Sequence, residues 1–194
     1  TNPCLIINTG GGIGLPAACA ARMLGIPFEL HELNAVPGRA TRYTARIAHS
    51  VYTVFPEAQR QLHFVGAQLR DYPIRYTDAD KKSRVVAKEM LGIDPSLPVV
   101  IVLGGSQGAE RLNNAASRAV CMNESTFFVL HQAGKNAEQY ADLYRAQKKN
   151  AQVHRFVDTK TLALWYSAAD CAISRAGSGT IHELLFFQVP TVLV

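Results

Sequence analysis

Charged residues make up only 18% of the 194 residues, aromatics 8%, and cysteine occurs just four times. Low charge set against 48% apolar residues excludes a disordered chain, which would lack the apolar surface to fold. Cys4, Cys19, Cys121 and Cys171 lie far apart with no CxxC or comparable spacing. That excludes a cysteine-ligated zinc site and a disulfide scaffold, and it suggests a reduced, cytoplasmic setting. Long apolar runs are missing too, so no segment has the length to span a bilayer. Thr1-Asn2-Pro3 has neither the basic region nor the apolar core of a secretion signal. The chain opens without Met and closes on the apolar run 190–194. A buried parallel strand there would leave a face and an edge to cover, so both ends are expected to continue in a longer protein.

What is present is a modest basic excess, +5 at neutral pH with a pI near 9.1. The basic residues are scattered and lack aromatic interleaving, which argues against nucleic acid. Phosphorylated small molecules or an anionic membrane surface fit that charge at least as well.

Strand and helix patterns alternate along the whole chain. Strands are expected at 4–8, 28–31, 50–54, 63–65, 99–103, 126–130, 153–157, 171–174 and 190–194. Helices are expected at 15–24, 37–48, 80–91, 109–120, 136–148, 160–167 and 180–187. Such alternation implies βα units and parallel sheets, hence an α/β fold. The one composition shift, at 70–84, brings Arg, Tyr, Asp and Lys in place of apolar runs. It places a boundary between two Rossmann-like halves, 1–78 and 79–194. Ligands in such folds collect beyond the carboxyl ends of the strands, so the strand-to-helix loops matter most.

Three of those loops suit an anion. Gly10-Gly11-Gly12-Ile13-Gly14 permits close backbone approach at a helix N-terminus, or simply a tight turn with close helix packing. Gly104-Gly105-Ser106-Gln107-Gly108 adds a serine hydroxyl to the backbone N–H groups, suiting a diphosphate, although Ser106 could equally cap the helix. In Ser174-Arg175-Ala176-Gly177-Ser178-Gly179-Thr180-Ile181-His182-Glu183, Thr180 and Glu183 have capping-box spacing. The functional alternative is that Glu183 accepts hydrogen bonds from both ribose hydroxyls of a nucleotide.

Other signals are blander. His31-Glu32 and His182-Glu183 lack the second histidine of a zinc-protease helix, so no metal site is expected. His31 could polarise a substrate hydroxyl or simply hold a structural bond. Arg39, Arg42 and Arg46 share a helix face that is either solvated or turned to anionic headgroups or a diphosphate. Trp165 and Tyr166 read as packing residues.

Several motifs in register resemble the MurG family of N-acetylglucosaminyltransferases, which complete lipid II of the bacterial cell wall. They are Gly104-Gly105-Ser106-Gln107-Gly108-Ala109, Ser174-Arg175-Ala176-Gly177 with Glu183, and His31-Glu32-Leu33-Asn34-Ala35-Val36-Pro37-Gly38. Phe156-Val157-Asp158 and His131-Gln132-Ala133-Gly134-Lys135 match as well, so the likeness covers nearly the whole chain. The resemblance implies a GT-B fold of two Rossmann-like parallel-sheet domains, both incomplete here, with UDP-N-acetylglucosamine held mainly by the second. It implies that Gly105 and Ser106 contact the diphosphate and that Val157 holds uracil through its backbone. Ser178, Gly179, Thr180, Ile181 and His182 would wrap phosphate and sugar, and Glu183 would bind the ribose hydroxyls. Asn34 would face the sugar and Arg70 the donor side. The family inverts at the anomeric carbon with neither metal nor cofactor. Its acceptor is a lipid-linked muropeptide, and it works peripherally on the inner face of the plasma membrane.

Leu33 stands where the family usually has Gln, and Val65-Gly66-Ala67-Gln68-Leu69-Arg70 departs from its Gly-Asn-Pro-Val-Arg. The family's first glycine loop and its C-terminal glutamine motif would lie outside this sequence, so no catalytic base is assigned beyond His31 as a candidate. Two other readings compete. An NAD-dependent oxidoreductase could use the loop at 10–14, with Glu29 or Glu32 on the adenine ribose. A non-catalytic nucleotide-sugar sensor could use the same fold without chemistry.

Overall fold

Val99–Leu103 is apolar at every position, the mark of a parallel strand covered on both faces, and four of its five residues are buried. It is the central strand of the second of two units. The computed structural model describes residues 3–71, 73–104 and 109–194. It divides into Thr1–Pro73 and Ile74–Val194. The division falls inside the stretch where composition shifts. Residues 74–78, which composition alone placed with the first half, belong with the second, and the Tyr76 ring is buried in the second unit's core.

The first unit alternates β1 (Ile6–Asn8), α1 (Gly14–Met23), β2 (Phe28–Glu32), α2 (Arg39–Ala45), β3 (Ser50–Thr53), α3 (Pro56–Gln61) and β4 (Gln68–Leu69). All strand pairs are parallel, in the order β1-β2-β3-β4. Its core is Phe28, Leu30 and Val51 from the strands against Ala18, Ala21, Ala45 and Leu62. The strand expected at 63–65 is instead one turn of 3-10 helix, closed by Gly66 in the left-handed region at φ 66°. Gly66 reverses the chain there, so the β-favouring Phe64 and Val65 never extend.

The second unit contains α4 (Arg84–Met90), β5 (Val99–Leu103), α5 (Glu110–Met122), β6 (Phe128–Gln132), α6 (Ala137–Ala146) and β7 (Asn150–His154). It ends with α7 (Thr159–Ala168), β8 (Cys171–Ser174), α8 (Ser178–Phe186) and β9 (Thr191–Leu193). Helix α4 starts later than expected because Ser83 caps it, its hydroxyl accepting from the Val86 N–H at 3.4 Å. Strand β7 lies three residues earlier than the expected 153–157, which frees Phe156 and Val157 into the following loop.

The five strands are parallel and ordered β7-β6-β5-β8-β9. One face packs Trp165, Tyr166 and Leu184, and the other packs Leu112, Ala116, Val120, Tyr140 and Tyr144. His131 is fully buried within that second layer, between the Tyr144 hydroxyl and the Asn113 Oδ1, each at 3.1 Å. Burial pushes its pKa from 6.5 down to about 4. Between those values the unfolded chain takes a proton that the folded chain refuses. Stability is therefore intact above pH 6.5 and lost as pH falls towards 4, by up to roughly 3 kcal/mol. Urea midpoints measured across this range are expected to show the loss, and His131→Gln is expected to flatten it.

Candidate functional site

Strand order in the second sheet reverses between β5 and β8, because chain growth runs outward through β6 and β7 on one side and through β8 and β9 on the other. At such a switch point the loops leaving adjacent strands diverge and open a crevice. Here a cavity of ≈ 450 Å³ is lined by Leu103 and Gly104 from the β5 end, Ser174 through Gly177 from the β8 end, and Thr180. Gly177 caps α8, so the N-terminal turn of the helix borders this region. Negative charge is stabilised at such a terminus.

A second cavity of ≈ 300 Å³ shares Leu103 and Thr180 with the first. Val157 and Phe156 line one part of it, Gln132 another, and Glu183 with Arg75 and Tyr166 a third. Glu183 is only 7% exposed. Its Oε1 accepts from Arg75 Nε at 2.8 Å, and its Oε2 accepts from the Tyr166 hydroxyl at 2.8 Å. The capping box that the Thr180–Glu183 spacing allowed does not form, because α8 begins two residues earlier, at Ser178. Glu183 therefore lies inside the helix, with its carboxylate turned to the cavity. Burial, and then the neighbouring carboxylate, hold the Tyr166 hydroxyl far above its usual pKa, so it stays a proton donor.

Thr180 and Glu183 line these cavities, and Val157 joins them from the loop after β7. Ser178, Gly179, Ile181 and His182 occupy the first turns of α8, with His182 Nδ1 donating to the Ser178 carbonyl at 2.8 Å. Gly105 and Ser106 lie outside the described residues. Arg75 and Tyr166 were both missed as site residues. Arg75 closes Pro73-Ile74-Arg75, which fits the Pro-Val-Arg end of the family motif better than the stretch at 65–70 where the motif was sought, and Tyr166 read only as packing. Trp165 is indeed fully buried, but Tyr166 combines packing with its bond to Glu183.

In the first unit, the sheet's carboxyl end gathers another set. Gly10 and Gly11 take φ of 96° and 88°, left-handed values that favour glycine, and the Gly10 N–H donates to Asn8 Oδ1 at 2.9 Å. Glu32, 1% exposed, accepts at Oε1 from both the backbone N–H and the Nδ2 of Asn34, each at 2.8 Å. That engagement sets the Asn34 side chain. His31 sits on β2, 3.4 Å from Glu29 Oε2 and with its ring 4.8 Å from that of Tyr52. The Arg70 guanidinium stacks on the same tyrosine at 3.8 Å. A cavity of ≈ 210 Å³ is bounded by His31, Glu32, Tyr52 and Arg70.

On the flank of this unit, Arg42 donates to Gln61 at 2.7 Å. Arg46 lies 4.9 Å from the ring centre of Phe64 and 5.8 Å from that of Tyr43. Those rings are 47% and 57% exposed, and with Arg39 they frame a shallow depression that is both basic and aromatic.

Comparison with known proteins matches both units. Residues 1–53 match the family model for the glycosyltransferase family 28 N-terminal domain, and residues 99–194 match that for its C-terminal domain. A Thermus thermophilus protein is 38% identical over 98% of this chain and 53% of its own length. A Nocardioides protein is 36% identical over 99% of this chain and 52% of its own. Both are named UDP-N-acetylglucosamine–N-acetylmuramyl-(pentapeptide) pyrophosphoryl-undecaprenol N-acetylglucosamine transferase. The crystal structure of Acinetobacter baumannii MurG is similar with a TM-score of 0.69 at 29% identity, over 98% of this chain and 52% of that one. The chain thus spans about half the length of the curated relatives it matches.

Proposed function

The chain belongs to glycosyltransferase family 28, with the two Rossmann-like α/β units of a GT-B protein, and we propose that it serves the transfer of N-acetylglucosamine from UDP to a lipid-linked muropeptide. The product of that step, lipid II from lipid I, would enter cell-wall peptidoglycan. The observation that carries this reading is the crevice at the β5–β8 switch point, with the α8 N-terminus on one side and the buried Glu183 carboxylate on the other.

In this reading UDP lies along the crevice. Its diphosphate meets the first turn of α8 at Ser178, Gly179 and Thr180, and by motif Gly105 and Ser106. Glu183 accepts from the ribose hydroxyls, and the Val157 backbone faces the uracil. The acceptor hydroxyl attacks the anomeric carbon from the face opposite UDP, the bond to the diphosphate oxygen breaks, and configuration inverts. Charge developing on the departing UDP is met by helix N–H groups and the helix dipole, which need no reorganisation as the bond breaks. Asn34, held by Glu32, and Arg70, stacked on Tyr52, are the first unit's candidates for substrate contact. His31, backed by Glu29, is its candidate to take the hydroxyl proton.

The acceptor is lipid-linked, so the reaction belongs at the cytoplasmic face of the plasma membrane. Among the described residues no helix is long and apolar enough to cross a membrane. The depression around Arg39, Arg42, Arg46, Tyr43 and Phe64 supports a peripheral contact, since cations attract anionic headgroups and exposed rings suit the interface. Anionic phospholipid vesicles are expected to retain the chain at low salt, and a triple Arg→Gln variant to be released. Equal retention of both would remove this surface from the account.

Calorimetric titration of the chain with UDP-N-acetylglucosamine, UDP and NADH tests the donor reading. Saturable binding of the two uridine ligands and none of NADH is the expected result. NADH binding without UDP binding would overturn the reading in favour of an oxidoreductase. Turnover with a lipid-linked acceptor by a longer protein that contains this chain would separate a transferase from a nucleotide-sugar sensor, the 194 residues alone being expected to be inactive.

A further inference from the structure

Strand β6 ends in His131 and Gln132, and the alternation of a strand sends them to opposite faces of the sheet. His131 enters the layer of Asn113 and Tyr144, so Gln132 shares with Leu130 the face packed by Trp165, Tyr166 and Leu184. Ladders on both sides fix its backbone, opposite Leu103 of β5 and His154 of β7. The residue is only 6% exposed, and it lines the ≈ 300 Å³ cavity together with Val157 and Glu183. Neither the nitrogen nor the oxygen of its side-chain amide has a hydrogen-bond partner among the described residues. A buried amide in that state lacks the partner that would compensate its lost water, unless a ligand supplies one. Val157 lies between β7 and α7, and its backbone N–H and C=O are equally unpaired among the described residues.

The cavity is thus bordered by two donors, the Val157 N–H and the Gln132 Nε2, and by one acceptor, the Val157 C=O. The polar edge of uracil carries the O2 and O4 acceptors with the N3–H donor between them. Two donors and one acceptor are its complement. A single residue's backbone can satisfy N3–H and one carbonyl, which leaves the other carbonyl without a donor. We propose that Gln132 is a base-reading residue of this site, its Nε2 donating to the uracil carbonyl that the Val157 backbone leaves unpaired. The proposal rests on the donor-site reading. The sheet sets where the amide stands, and the apolar Leu103 and Leu162 beside it keep water from competing for the carbonyl.

The test is titration calorimetry of the 194-residue chain with UDP, 2-thio-UDP and 4-thio-UDP, beside urea unfolding. Gln132→Leu is expected to bind UDP roughly fivefold more weakly, the worth of one neutral hydrogen bond. Its urea midpoint is expected to hold or rise, because an unpaired buried amide gives way to an apolar group of similar volume. Gln132→Glu is expected to weaken UDP binding at least as much, since an ionised carboxylate cannot donate. Sulfur accepts weakly, so wild type is expected to lose affinity for both thio ligands. In Gln132→Leu one of these two losses is expected to vanish and the other to persist. Wild-type affinity for UDP in Gln132→Leu, both thio losses retained in it, or no thio loss in wild type would overturn the proposal and leave the donor reading standing. A lowered urea midpoint would make Gln132 a structural residue and overturn the proposal likewise. A wild type that fails to bind UDP removes the donor reading and the proposal together.

Discussion

Glu183→Ala is expected to weaken UDP binding by roughly 100-fold or more in a chain that remains folded. The size follows from what the carboxylate does in the proposed complex. Two ribose hydroxyls donate to a charged, largely dehydrated acceptor, and each such bond is worth about 1.5–3 kcal/mol. Losing both corresponds to about 3 kcal/mol at the low end, which is more than two decades in affinity. Glu183→Gln keeps the shape and one acceptor oxygen, so it is expected to fall between the two. Glu183→Ala also leaves the buried Tyr166 hydroxyl without its partner, so some stability goes with it. The half-exposed Arg75 can turn to water and adds little. Titration calorimetry beside a urea unfolding curve separates the two effects. Wild-type affinity in a folded Glu183→Ala chain would remove Glu183 from the site.

The second large effect is expected at Gly104, where a methyl group has no room. An added Cβ would lie 2.8 Å from Asn113 Oδ1, 3.0 Å from the backbone nitrogen of Ala109 and 3.3 Å from the backbone oxygen of Gln132. Asn113 cannot step aside freely. Its Nδ2 donates to the Ala133 carbonyl at 3.0 Å, and its Oδ1 is engaged with the buried His131. Gly104→Ala therefore strains two backbone segments and opens a buried polar network. Overpacking of this kind costs roughly 1–3 kcal/mol, and a lost buried hydrogen bond adds about 1 kcal/mol. For a chain of this length about 3 kcal/mol corresponds to a fall in Tm of roughly 6–12 °C. The strained backbone lies where β5 opens into its loop, so UDP affinity is expected to fall too. Gly12→Ala is the control, since an added Cβ there meets nothing within 4 Å, and its stability is expected to stay within about 0.5 kcal/mol. A Gly104→Ala chain with unchanged Tm would mean that Asn113 and its network yield easily.

These two residues also show how unevenly the site could be read from sequence. Gly104 was legible because a fully apolar strand ends at Leu103 and glycines follow it, a pattern governed by chain-local sterics. Glu183 was visible as a candidate but ambiguous, because Thr180 at the same spacing offered a local role. Only the position of the helix start removes the capping role, and that depends on how Gly177 leaves β8. Arg75 was passed over although Pro73-Ile74-Arg75 carries the Pro-Val-Arg pattern sought at Arg70, and its partner was unreadable because it lies 108 residues away and no periodicity records such a contact. In the fold, strands with continuous or alternating apolar patterns were found with small shifts. The two-residue β4 and the short α3 were missed, since neither holds enough residues to show a period. The expected strand at 153–157 was displaced by its own apolar Phe156 and Val157, which line a cavity instead of a sheet.

The most direct test of the central claim is backbone-amide chemical-shift mapping of the chain on addition of UDP. The account predicts saturable shifts at Val157, at Gly177 through Thr180 and at Glu183, with the amides of residues 10–14 unmoved. Shifts confined to residues 10–14, or none in α8 at saturating UDP, would contradict it.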